Sequence, residues 1–174
     1  LGNDFLPHFP SLNIRTNGIY LLINAYKEVF KNTNINKSNL TNGKTIYWSN
    51  VYKLIDVLKE NEYQNIVTEY KIRDRQEKRV FLNETDKEKK MKYLNIPIKN
   101  RETEKYINPY ESMWQKRYYE KLFLKQETKQ LKRDISINYL EGLEWVINYY
   151  SFGCIDWTWH YKYNFQLQVF LHLQ

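Results

Sequence analysis

Apolar residues recur at helical spacing along most of this chain, and polar stretches interrupt them. Ile19, Leu22, Ile23, Tyr26 and Phe30 fall on successive turns of one predicted helix that starts near Asn17-Gly18. Thr41-Asn42-Gly43-Lys44 closes a polar stretch as a turn. Ser49 then stands where it would cap a second helix carrying Tyr52, Ile55 and Leu58. A third helix is predicted around 63–78, increasingly charged toward its end. From Lys71 to Lys105 the chain is dominated by Lys, Arg, Glu and Asp, with few apolar anchors. Such a segment buries too little surface to offset its chain entropy, so 83–107 reads as a mobile insert. Order returns at Asn108-Pro109. A short helix is predicted from Trp114 to about Leu124 and a long one over 128–150. The stripe of the long helix is Leu131, Ile135, Tyr139, Leu143, Val146 and Tyr150, and it stops at Phe152-Gly153.

Composition changes this picture little. The chain has 174 residues, 42% of them hydrophobic and 17% aromatic, which is enough for a core. No apolar run approaches the roughly 20 residues needed to cross a bilayer, and no signal peptide is visible. A lone cysteine, Cys154, excludes an internal disulfide framework and suits a reducing compartment. The net charge of +7 favours polyanions, but an AT-rich genome would also enrich Lys, Asn, Ile and Tyr.

Candidate chemistry sits at the two ends. Gly2-Asn3-Asp4-Phe5-Leu6-Pro7-His8 reads as a strand end turning toward a helix, a place where a carboxylate meets a hard divalent cation. The alternative is that Asn3 and Asp4 only cap a helix. Near the other end, Trp157 and Trp159 lie just beyond a helix stop, where an aromatic face takes a stacked base. Trp114 reads as a core anchor, as do Tyr149 and Tyr150. Lys116 and Arg117 are either phosphate contacts or a solvated helix face.

Three blocks together resemble the XRN family of 5′→3′ exoribonucleases. The opening heptapeptide, continued by Pro10-Ser11-Leu12-Asn13-Ile14-Arg15 and Gly18-Ile19, is similar to the stretch holding the family's last acidic motif. Trp114-Gln115-Lys116-Arg117-Tyr118-Tyr119 is similar to a tryptophan and Arg-Tyr-Tyr block that follows a charged variable insert. Tyr139-Leu140-Glu141-Gly142-Leu143-Glu144-Trp145-Val146, the Tyr149-Tyr150 pair and Gly153 through Trp159 resemble a third block. The run departs from the family after that: His160 stands where a tyrosine is usual, and Tyr161-Lys162-Tyr163-Asn164-Phe165 lacks the usual proline and histidine. The tail 166–174 alternates like a short strand and matches nothing in the family.

The resemblance implies a mainly α fragment of an α/β, PIN-like nuclease, its helices set around the last motif of a catalytic sheet. It divides the chain into 1–35 as the end of the nuclease domain, 36–82 as a helical region, 83–107 as the insert, 108–165 as a helical region ending in an aromatic cluster, and the tail. It implies that Asp4 is a catalytic carboxylate and a ligand of Mg2+ in a two-metal site, with the other ligands upstream. It implies RNA-binding roles for Trp157 or Trp159, and makes Lys116 and Arg117 candidates for contact with the strand. The parent enzyme would remove nucleoside 5′-monophosphates from single-stranded, 5′-monophosphorylated RNA, in the nucleus rather than the cytoplasm, aided by an activating partner protein and with no membrane. The isolated fragment would be inactive without the missing N-terminal half of the nuclease domain. A non-catalytic basic helical RNA-binding module and a non-functional gene fragment are the competing readings.

Overall fold

The computed structural model describes residues 1–34, 38–94 and 100–163; the tail 166–174 lies outside them. Among the described residues there are seven helices and no sheet, with one isolated bridge between Thr41 and Ile46. The chain is therefore mainly α, as expected. No helix is long and apolar enough to cross a membrane, among the described residues.

Contacts group the chain into two compact units, one of Leu1–Tyr63 with Glu127–Gln174 and one of Gln64–Gln126. In the first unit, α1 spans Gly18–Phe30 and α2 spans Trp48–Glu60. The buried face of α1 passes through Gly18, Ala25 and Phe30, while Ile19 and Ile23 are exposed. That rotates the face away from the stripe expected from the sequence. The cause is the close approach at Gly18, where an added Cβ would lie 2.5 Å from the Leu12 carbonyl carbon. No side chain caps α2. Ser49 lies inside the helix, because the 41–46 turn delivers the chain to it through a Tyr47 N–H bond to the Leu40 carbonyl at 2.8 Å.

The second unit holds most of α3, Glu62–Glu77, and then α4, Asp86–Leu94, α5, Glu102–Ile107, and α6, Trp114–Phe123. Helices α4 and α5 fall inside the segment read as a mobile insert. The composition argument missed a capping box: Thr85 and Glu88 exchange bonds, the Glu88 N–H with the Thr85 hydroxyl at 3.2 Å and the Thr85 N–H with the Glu88 carboxylate at 3.0 Å. Nothing on α4 is buried, so its ends and charges rather than a core hold it.

Arg101 gives the same segment a packed end. Its side chain is 1% exposed and pairs with Asp74 at 2.7 Å, with Glu77 at 3.3 Å and with Glu104. It also lies over the Tyr70 ring. Arg73 pairs with Glu104, and Lys105 with Glu77. Burial pushes the Tyr70 hydroxyl up to about 12.

The last helix, α7, spans Lys129–Phe152 and belongs to the first unit. Thr128 caps it by accepting from the Leu131 N–H at 3.1 Å, and Gly153, with φ of +88°, ends it. Leu131, Ile135 and Tyr139 are buried, as their spacing predicts. Tyr150 continues that register but is 66% exposed. It is not a core residue, because α7 has run past the core by its last turn.

Candidate functional site

Two short turns carry Asp4 and the candidate tryptophans, and both are packed on α7. The first is closed by Asn3. Its carboxamide oxygen accepts from the Phe5 N–H at 3.0 Å and the Leu6 N–H at 2.8 Å, and its own N–H reaches the Leu6 carbonyl at 2.9 Å. An asparagine that bonds the backbone two residues on forms a local turn by itself. Asp4 sits at the tip, exposed. Gly2 completes the turn at φ +83°, with the His8 amide nitrogen 2.7 Å from where a Cβ would stand. Only glycine fits that combination of dihedral and space. Asn3 thus caps its own turn and no helix; α1 begins at Gly18.

Either side of Asp4 the turn is fastened to α7. Phe5 meets Trp145 edge-on at 5.0 Å and Tyr149 at 4.9 Å. Leu6 is buried, the Pro7 carbonyl accepts from the Tyr139 hydroxyl at 3.2 Å, and Phe9 packs on the Tyr139 ring.

The second turn follows Gly153. The Asp156 carboxylate accepts from the Thr158 N–H at 2.8 Å and the Thr158 hydroxyl at 2.7 Å. These bonds, the hydroxyl's first, hold the Asp156 carboxyl below its ordinary value, so it stays ionised into acid. Trp157 stands at the tip, 86% exposed. Trp159 turns inward, stacked on Trp145 at 5.4 Å and 23°. An extended segment would point both tryptophans the same way; the Asp156 turn between them divides them.

Trp145 joins the two turns. It stacks on Tyr149 at 5.2 Å and 12°, and its indole N–H donates to the Asp156 carbonyl at 3.0 Å. One turn earlier on α7, Gly142 leaves the room these groups use. An added Cβ would lie 2.6 Å from a Leu6 methyl and 2.7 Å from the Trp159 ring. Glycine inside a helix costs about 1 kcal/mol relative to alanine, so a packing need keeps it there. None of Phe5, Gly142 or Trp145 was singled out from sequence. The signal was present in the helix-interior glycine and in the Asn3 and Asp156 turn residues.

The basic candidates lie in the other unit. Arg117 donates to the carbonyls of Tyr106, Ile107, Asn108 and Ser112, which ties off the end of α5. Lys116 is exposed, 3.8 Å from Glu120. Trp114 is half-buried at the start of α6.

Asp4 supplies a hard oxygen donor that fits Mg2+, but a single carboxylate does not enclose an ion. Among the described residues no group of three or more His, Cys, Asp or Glu is placed to hold a metal.

The family model described as the Xrn1 helical domain matches residues 1–108 and 97–167. The match begins at residue 1, and so takes in the stretch 1–35 expected to close the nuclease domain. The chain is 26% identical to 5′-3′ exoribonuclease 2 of Arabidopsis thaliana, over 95% of its own length and 24% of the relative's. It is 26% identical to the Drosophila melanogaster homologue, over 95% of this chain and 22% of that protein. Against 5′-3′ exoribonuclease 1 of Saccharomyces cerevisiae the identity is 37% over 39% of this chain and 5% of the relative. The chain thus spans about a quarter or less of the curated relatives it matches. The Arabidopsis alignment runs over 245 residues, longer than this chain, so that relative carries insertions absent here. By sequence blocks, helical architecture and these matches, the chain belongs to the XRN family of 5′-3′ exoribonucleases and carries its helical domain.

Proposed function

We propose that this chain forms part of a 5′→3′ exoribonuclease of the nuclear branch, one that removes nucleoside 5′-monophosphates from 5′-monophosphorylated single-stranded RNA. Asp4 contributes one carboxylate to a magnesium site whose other ligands come from elsewhere in the enzyme, and Trp157 offers its face to a base. The observation that carries this reading is the Asp4 turn: an exposed carboxylate at the tip of a turn that Asn3 and Gly2 close and Phe5 anchors, in a chain of this family. Magnesium, when bound, supplies Lewis-acid chemistry at the scissile phosphate. This chain's part is to carry the carboxylate on a closed, anchored turn and to present a ring. The remaining nuclease residues and an activating protein are the partners this reading requires, and the similarity of this chain to 5′-3′ exoribonuclease 2 and its homologue supports a nuclear site of action.

The 174-residue chain alone is expected to be inactive, since its described residues hold no complete acidic cluster. Incubated with 5′-phosphorylated RNA and magnesium, it should release no mononucleotide above buffer. Steady release that disappears in Asp4→Ala would show that the chain is self-sufficient, and would overturn this account.

Trp157 and Trp159 should separate in a complete enzyme. A stacked base contributes about 1–3 kcal/mol, so Trp157→Ala should raise the KM for RNA about tenfold and shorten processive runs. Trp157→Phe should recover part of both, because stacking needs a ring rather than the indole N–H. Trp159→Ala should instead lower the thermal midpoint, because it removes a ring from the Trp145 stack. Normal RNA kinetics in Trp157→Ala would assign stacking to another residue.

A further inference from the structure

We propose that Trp145, with Gly142 clearing the space beside it, is a positioning residue that fixes the Asp4 turn and the Trp157 turn in one register. The inference rests on the function proposed above only for what the register is used for; the joint itself stands on geometry.

Each turn is closed locally by its own side chain, Asn3 in one and Asp156 in the other. Local closure fixes a turn's shape but not where it stands. Position comes from what enters the aromatic column on α7. From the first turn, Phe5 presents an edge to Trp145 at 5.0 Å and 65°. From the second, Trp159 lies flat on Trp145 at 5.4 Å, and the Trp145 indole N–H holds the Asp156 carbonyl at 3.0 Å. One side chain therefore touches both turns, through three contacts of different geometry. Gly142 repeats the arrangement at closer range, since a single added methyl meets Leu6 from one turn and Trp159 from the other. The Leu6 methyl ends a flexible chain, whereas the Trp159 ring is held in its stack on Trp145. A displacement on either side is thus felt on the other, and coupling of this kind is reciprocal.

Amide hydrogen exchange in the full 174-residue chain reads both turns separately. The Leu6 N–H reports the first, the Thr158 N–H the second, and the Thr45 N–H, held by Asn42 at 2.8 Å in a third turn that meets α7 through Ser151 rather than Trp145, is the comparison. Trp145→Leu should speed exchange about tenfold at both Leu6 and Thr158 and leave Thr45 unchanged. Phe5→Leu should speed Thr158, and Trp159→Leu should speed Leu6, each across the joint. Trp145→Phe keeps a ring and drops the indole N–H, so it should speed Thr158 and largely spare Leu6. That graded response separates positioning from general loosening, and it survives if Trp145→Leu does not fold.

Effects confined to the mutated turn, or a Thr45 response equal to the others, would overturn the joint. A coupled joint in a complete enzyme whose RNA turnover ignores Trp145→Phe would instead count against the roles proposed for Asp4 and Trp157.

Discussion

Asp4→Ala, introduced into a complete exoribonuclease that carries this chain, should lower turnover about a thousandfold or more and leave RNA affinity within about threefold. Losing a residue that only supports a metal ligand typically costs about 10–100-fold, so losing a ligand itself costs more. A thousandfold is about 4 kcal/mol of transition-state stabilisation. RNA affinity is spared because Asp4 is exposed at a turn tip and is not needed to close it; Asn3 does that. Single-turnover kinetics with 5′-phosphorylated RNA at saturating magnesium separate the two quantities. Gly2→Ala should produce a milder version of the same defect, because the turn must open away from His8 to admit a methyl at φ +83°. If Asp4→Ala turns over normally, Asp4 is a solvated turn residue and the metal site lacks it.

The largest expected loss of stability is at Arg101. Its guanidinium is 1% exposed and faces Asp74, Glu77 and Glu104. Arg101 is buried but its carboxylate partners are 23–42% exposed, so solvent screens what its removal leaves uncompensated, and the loss falls short of the cost of breaking a fully buried pair. Arg101→Met, which keeps most of the volume, should still lower stability measurably in chemical denaturation, with faster amide exchange in α3 and α5. The same network predicts a pH profile. Burial pushes the Asp74 carboxyl up, but hydrogen bonds from Arg101 and Tyr110 outweigh it and leave the group below its ordinary value. Lys105, and behind it Arg101, lowers Glu77 against partial desolvation. Carboxyls lowered in the folded state contribute stability above their unfolded values, and that contribution is lost as pH falls through the lowered ones. Acid unfolding should therefore set in below about pH 4, and less steeply in Arg101→Met. Tyr70 and Tyr110 are both pushed up to about 12, chiefly by burial, so their contribution is present below pH 10 and lost as pH rises from there toward 12. A flat acid limb in the parent chain would show that the network contributes nothing.

Local signals were legible in the sequence, and distant ones were not. Thr128, Leu131, Ile135, Tyr139 and Gly153 define α7 from its cap to its stop because each acts within a turn or two of its neighbours. The same logic applied to Thr85 and Glu88, but the surrounding charge outweighed it in the reading, although helices can stand on caps without a core. Arg101 looked like one basic residue among many. Its burial depends on Asp74 and Glu77, which lie 27 and 24 positions away. Arg117 shows the converse: a cation read as either a phosphate contact or a solvated helix-face residue closes the end of a helix. For the candidate site, the Asp4 and Trp157 positions came from motif blocks. Phe5 and Trp145 stand in the same blocks, but that they hold the two turns was not legible, because they meet only after the chain has folded back on itself.

The first unit is written in two pieces, with the whole of Gln64–Gln126 inserted between them. A ribosome releases Leu6 and Leu12 long before Tyr139, whose hydroxyl reaches back 132 positions to the Pro7 carbonyl. Contacts of such separation form late, after the closure entropy of the intervening chain has been met. The inserted unit, made of neighbours in sequence, has no such wait. During synthesis the 1–63 piece therefore exposes its apolar face until α7 emerges. A message truncated after α6 yields a polypeptide in which residues 1–63 lack the cover of α7, which makes it a substrate for chaperones and proteases.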